Sequence, residues 1–165
     1  MSLGFLPFCA LIFGIMDFSL AIFISNTLQG AAREGVRYGI TFNTTYKGTS
    51  YASQTLAVQA VVKSFSMGFL NDSNVATYVK VNYYLPNNLS TPAKTSDLPV
   101  TVNGVYIQYL NQTGNVVEVQ VKNFPWNWMV PLGGYMPGTG LTMNAAAADV
   151  MQSYPVGSFA PPVSP

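Results

Sequence analysis

The stretch Leu3-Gly4-Phe5-Leu6-Pro7-Phe8-Cys9-Ala10-Leu11-Ile12-Phe13-Gly14-Ile15-Met16-Asp17-Phe18-Ser19-Leu20-Ala21-Ile22-Phe23-Ile24 decides the fold. Its 22 residues hold one charged side chain, Asp17. As a helix the stretch is about 33 Å long, close to the roughly 30 Å hydrocarbon core of a bilayer. A core helix of a globular domain is rarely this long and apolar on every side. A cleaved signal would show a shorter apolar region, about 7–15 residues, behind a basic segment. The stretch therefore reads as a membrane-spanning or filament-core helix, with a cleaved signal and a globular core helix as the competing readings.

The helix is expected to continue beyond Ile24. Pro7 suits a helix start, where its missing N–H is harmless. No proline interrupts Ser25 to Gly39. Thr27, Ala31, Gly35 and Gly39 recur every four residues and form a flat stripe that lets another backbone approach closely. The plainer reading of Gly35 and Gly39 is fraying and a C-terminal cap.

Composition prunes the chemistry. Of 165 residues 8% are charged, against roughly 25% in an average domain. Seven basic and six acidic side chains leave +1, which excludes the electrostatic footprint of a nucleic-acid binder. A soluble domain this poor in charge tends to associate. With no His, triad catalysis, His-ligated zinc and haem on a proximal His are excluded. Cys9 stands alone and supports neither an intrachain disulfide nor a Cys-rich metal site. The six acids are scattered, so no catalytic constellation, metal or cofactor is expected.

Further along, residues 41–48 read as a break rich in Thr and Asn. A second helix is expected from Tyr51 to Met67, with Tyr51, Val58, Val61, Val62, Phe65 and Phe69 on one apolar face. From Asn74 the period becomes two: Val79, Val81, Tyr83 and Leu85 alternate with Tyr78, Lys80, Asn82 and Tyr84. Residues 86–100 read as a loop. Val105–Leu110 and Val116–Lys122 read as two strands of a hairpin around residues 111–115. An apolar loop, Phe124 to Leu132, leads to a last strand from Leu141 to about Val150, with Leu141, Met143, Ala145 and Ala147 on one face. The fold class is α+β: a long N-terminal helix as a stalk, a short helix and a small antiparallel sheet. The expected division is residues 1–40 as the helix and its extension, 41–154 as the α+β domain and 155–165 as a proline-rich tail.

The order of elements resembles a pilin-like protein, and the residues narrow it to the TadE-like family of the tight-adherence pilus systems. Pro7, the apolar run into Phe13-Gly14-Ile15-Met16-Asp17-Phe18, and Ala31-Ala32-Arg33-Glu34-Gly35-Val36-Arg37-Tyr38 are similar to that family's N-terminal segment. Val117, Val119 and Val121, Val130-Pro131-Leu132 and Leu141-Thr142-Met143 are similar to its final strands. In the family a short basic leader, a prepilin-type cleavage point and a Glu usually precede the proline. Here the position of that Glu is Met1, so either the chain starts late or it inserts without peptidase processing.

The resemblance implies a non-enzymatic subunit of a pilus or related secreted filament, held in the bacterial inner membrane with its C-terminal domain extracytoplasmic, and extracellular once assembled. Its implied partners are copies of itself or other pilin-like subunits, membrane lipid before assembly, and the pilus assembly machinery. Arg33 and Arg37 oppose this topology, because basic residues favour the cytoplasmic side. Glu34 beside them weakens that count. The alternative from a different class is a membrane-anchored extracytoplasmic binding module, an adhesin or glycan binder.

Several residues are candidates for contacts. Asp17 is a carboxylate at mid-membrane depth, where charge is costly. It either meets a cation of a neighbouring subunit or stays protonated within its own helix. Arg33, Glu34 and Arg37 offer ion pairing between subunits, or form a solvated helix surface. Asn43, Asn71, Asn88 and Asn111 each open an Asn-x-Ser/Thr sequon, a candidate glycosylation site, although chance matches are expected in a chain rich in these residues. Trp126 and Trp128 could contact sugar or membrane, or cover the end of the sheet.

Overall fold

A computed structural model describes residues 2–93, 100–102, 105–107, 113–127 and 140–152. The long helix is α1, Ser2–Gly39, 38 residues or about 57 Å. It starts earlier than Pro7 suggests, so that proline lies inside its second turn. Its C-terminal end is closed by the buried Gln54, whose side-chain amide donates to the Gly39 carbonyl.

A two-residue turn follows within the segment expected to be irregular. β1 (Thr45–Tyr46) and β2 (Thr49–Ser50) pair through Lys47 and Gly48, with φ of 49° and 79°. Two positive φ values in a row define the tight hairpin turn whose twist matches the strands. Helix α2, Gln54–Phe65, begins where Ser53 caps it by accepting from Leu56 N at 3.3 Å. It is shorter at both ends than the apolar pattern implies. Gln54, Ala57, Val58, Val61 and Val62 are buried, but Phe65 is 47% exposed. At the helix end Ser66 takes the inward position instead. Its hydroxyl donates to the Lys63 carbonyl at 2.7 Å and accepts from Leu70 N at 3.1 Å.

One helical turn, α3 (Val75–Tyr78), leads straight into β3, Val79–Tyr84. β4 (Val100–Val102) and β5 (Val105–Ile107) form their own antiparallel pair. β6, Val116–Trp126, is the centre of a three-stranded antiparallel sheet in the order β3-β6-β7, with β7 at Leu141–Val150. The expected hairpin between the strands at 105 and 116 is thus corrected. Both edges of β6 are taken, by β3 on one side and β7 on the other. Alternation tells which face a strand buries, but not which strand lies beside it.

The class is α+β, as the sequence implies: one long apolar helix, a short helix and small antiparallel sheets. Val79, Val81 and Tyr83 of β3 and Val117, Val119 and Val121 of β6 turn the same sheet face inward and are fully buried. Met143 and Ala145 of β7 join them, while Leu141 does not. A bulge between Val121 and Phe124, with Asn123 at φ 54°, resets the alternation so that Phe124 also points inward. Asn144 holds the bulge by accepting from Asn123 N at 2.9 Å. Helices α1 and α2 lie on this face, so the core is shared between the long helix, α2 and the β3-β6-β7 sheet.

Candidate assembly and membrane-contact surface

Helix α1 has two faces of opposite fate. Asp17, Ala21, Ile24, Leu28, Ala32 and Val36 follow each other at three- and four-residue spacing and are all buried. On the other side, and all along the N-terminal part where even Phe13 of the Asp17 stripe is uncovered, Phe5, Phe8, Met16, Phe18, Ile22 and Phe23 stay exposed. From Pro7 to Gly39 the helix is long and apolar enough to cross a membrane by length and composition. Apolar surface of this extent on a soluble monomer would be unusual and marks a contact surface.

The small-residue stripe meets its partners inside the chain. A Cβ on Gly35 would lie 2.5 Å from Val62 Cγ2 of α2 and 3.4 Å from Val119 Cγ1 of β6. At Gly39 the neighbours Val58 and Val117 would stand at 3.5 Å. Ala31 is buried in the same core. Thr27 is half-buried, with its hydroxyl donating to the Phe23 carbonyl at 2.8 Å. The close approach that the stripe permits is made by this chain's own α2 and β6.

Asp17 is 4% exposed although Met16 and Phe18 on either side are open. It therefore belongs to the covered face of α1. Arg33 and Arg37 point outward and Glu34 is half-buried. Among the described residues the one ion pair is elsewhere, Lys63 to Asp72 at 2.6 Å. That pair raises the Lys63 pKa, chiefly through the hydrogen bond to Asp72.

The sequons at Asn43, Asn71 and Asn88 are exposed and lie outside the helices and named strands, Asn88 in an isolated bridge with Leu85. Asn71 Oδ1 already accepts from Ser73 N at 3.0 Å and Asn74 N at 3.1 Å, and Asn88 Oδ1 from Ser90 N at 3.3 Å. Asn111 and Trp128 lie outside the described residues. Trp126 is half-buried at the end of β6, paired across the ladder with Leu141.

One polar cluster has no clear signal in the sequence. On the outer sheet face Glu118 Oε2 accepts from the Tyr84 hydroxyl at 2.6 Å and from Asn82 Nδ2 at 3.1 Å. Burial pushes the Glu118 pKa up. Hydrogen bonds from Tyr84, Asn82 and Gln120, with the Lys122 charge nearby, outweigh it and hold the carboxyl below its ordinary value. The polar positions of β3, Asn82 and Tyr84 among them, were legible as alternating with its apolar ones, but only the register, Asn82 opposite Glu118 and Tyr84 one step away, brings them to Glu118. Among the described residues no group of three His, Cys, Asp or Glu side chains is placed to hold a metal.

The class of protein this defines is one with a single long apolar helix, bare over its N-terminal part and packed into an α+β domain from Asp17 onward. Residues 1–37, nearly all of α1, match the model of the TadE-like protein family, so this segment is similar to that family. No curated protein and no solved structure matches the chain.

Proposed function

We propose that the chain is a structural subunit of a tight-adherence-type pilus or related secreted filament, anchored in the membrane by α1 and assembled through its bare face. The observation that carries this reading is the asymmetry of α1. Its exposed apolar residues run from Phe5 to Phe23, while from Asp17 to Val36 one side of the helix is buried within the chain. Such a face is satisfied by lipid before assembly and by neighbouring helices afterwards. The TadE-like match over this helix supports the same role.

Arg33 and Arg37, exposed beyond the apolar run, and the half-buried Glu34 are then the groups placed for pairing between subunits. Asp17, covered within its own chain, would act on assembly through the fold of its own subunit. In this reading the domain is extracytoplasmic.

The test uses the full chain in membranes. It should resist alkaline carbonate extraction, and Ile15→Cys in a Cys9→Ser background should form disulfide-linked dimers on mild oxidation. Release by carbonate would overturn the anchor. Retention without cross-links at Leu11→Cys, Ile15→Cys or Phe18→Cys would overturn assembly through this face.

A further inference from the structure

The end of the domain nearest the apolar segment carries bare apolar side chains of its own. Two sets of contacts fix its height along α1. Val117 stands over Gly39 and Val119 over Gly35, so β6 runs antiparallel to α1. At about 3.3 Å per strand residue and 1.5 Å per helix residue, the far end of β6 lies roughly 20 Å further towards the N-terminal end of α1. That places Trp126 and its ladder partner Leu141 near the level of Phe23, where the apolar run ends. On the other flank α2 also descends along α1, from Val58 at Gly39 to Val62 at Gly35. The turn after α2 then brings the Phe69 ring edge-on to Phe23, with 6.4 Å between centroids.

Both places expose apolar side chains. Leu141 is 41% exposed. In the α2–α3 turn Met67 is 72% exposed and holds φ of 52°, a left-handed conformation rare for a residue with a Cβ. The turn is not loose, because the fully buried Ser66 ties it to Lys63 and Leu70. Its adjoining charges, Lys63 and Asp72, neutralise each other.

We propose that this end of the domain is a second, shallow lipid-contact surface, with Met67 on one flank of α1 and Leu141 on the other resting in the interfacial layer of the bilayer. The inference rests on the anchoring reading above and deepens it: the domain sits directly on the membrane and is not held away from it on a stalk. Lipid fits better than a second copy because the two sites share one height on two flanks of the helix. A plane normal to α1 touches both, whereas a subunit packed beside α1 would cover one. The apolar side chains are continuous in level with the end of the apolar run, where aromatic and apolar residues favour the interface.

The test places an environment-sensitive fluorophore on Met67→Cys and Leu141→Cys, each in a Cys9→Ser background of the full chain in liposomes. Phe13→Cys reports the helix and Lys47→Cys the distal hairpin. Blue-shifted emission that brominated lipids quench is expected at 67, 141 and 13, with water-like, unquenched emission at 47. Water-like emission at 67 and 141 with quenching at 13 would overturn this inference and leave the anchor intact. Water-like emission at 13 as well would overturn the anchor itself. A blue shift without quenching at 67 or 141 means protein covers the site, and quenching at one flank only contradicts a surface on both; either result overturns the proposal.

Discussion

Gly35 of α1 and Val62 of α2 meet so closely that a Cβ at position 35 would lie 2.5 Å from Val62 Cγ2. Adding a methyl there gains about 1 kcal/mol of helix propensity but forces a packed core to shift, at a cost of about 1–3 kcal/mol. Gly35→Ala is expected to lower stability by about 1 kcal/mol net, and Val62→Ala on top of it should recover part of the loss. Denaturation in detergent would read the cycle. A Gly35→Ala chain as stable as the parent would show that this contact is soft.

Gly30 supplies the contrast. It is exposed, and nothing lies within 4 Å of a Cβ built there. Gly30→Ala should therefore stabilise the helix by about 0.5–1 kcal/mol, the ordinary cost of glycine in a helix interior. A loss of stability in the same melt would mean that position 30 is covered.

Glu118 and Tyr84 make stability depend on pH at both ends. The Glu118 carboxyl titrates below its ordinary 4.5, so its contribution is complete above that value and is lost as pH falls through the lowered one. The Tyr84 hydroxyl is raised above 10.0, first by its bond to Glu118 and then by burial, so its contribution is present below that value and lost as pH rises through the raised one. Tyr84→Phe should cost about 1 kcal/mol, given the partial exposure of the pair, and flatten the acid limb, because the Glu118 carboxyl moves back towards its ordinary value and loses less on protonation. Melting curves across pH check this, and an unchanged acid limb would count against the hydrogen bond.

Ser66→Ala would leave the buried Leu70 N–H without its acceptor, a loss of about 1–3 kcal/mol. The turn carrying Met67 should loosen with it. Amide exchange at residues 67–70 is expected to quicken more than in the sheet. Equal protection in variant and parent would show that Ser66 does not hold the turn.

Charge on the far end of α1 can be tested in assembly. If subunits pair through these side chains, Glu34→Lys should lower filament yield, and Arg33→Glu or Arg37→Glu should restore it in combination. Absence of rescue by either arginine reversal would remove these residues from the interface.

Much of the fold is legible from periodicity alone. Twenty-two residues with one charge announce α1, the alternation at Val79-Val81-Tyr83 announces a half-buried strand, and Val116–Lys122 reads as a second one. Other features escaped because they depend on neighbours. Phe65 follows the helical phase of Val58, Val61 and Val62, yet the end of α2 turns Ser66 inward and leaves Phe65 half in solvent. Local phase stops being informative where a helix ends.

The sequence by itself determined where each side chain points relative to its own element, since helix and strand repeats are local properties of the backbone. It also determined that α1 is apolar beyond what a small core can use. Only the tertiary structure decided what lies opposite: β7 and not β5 beside β6, Val62 over Gly35, and Asp17 on the covered face of an otherwise bare turn. Those choices depend on shape matching between elements distant in the chain, which no repeat along one element encodes.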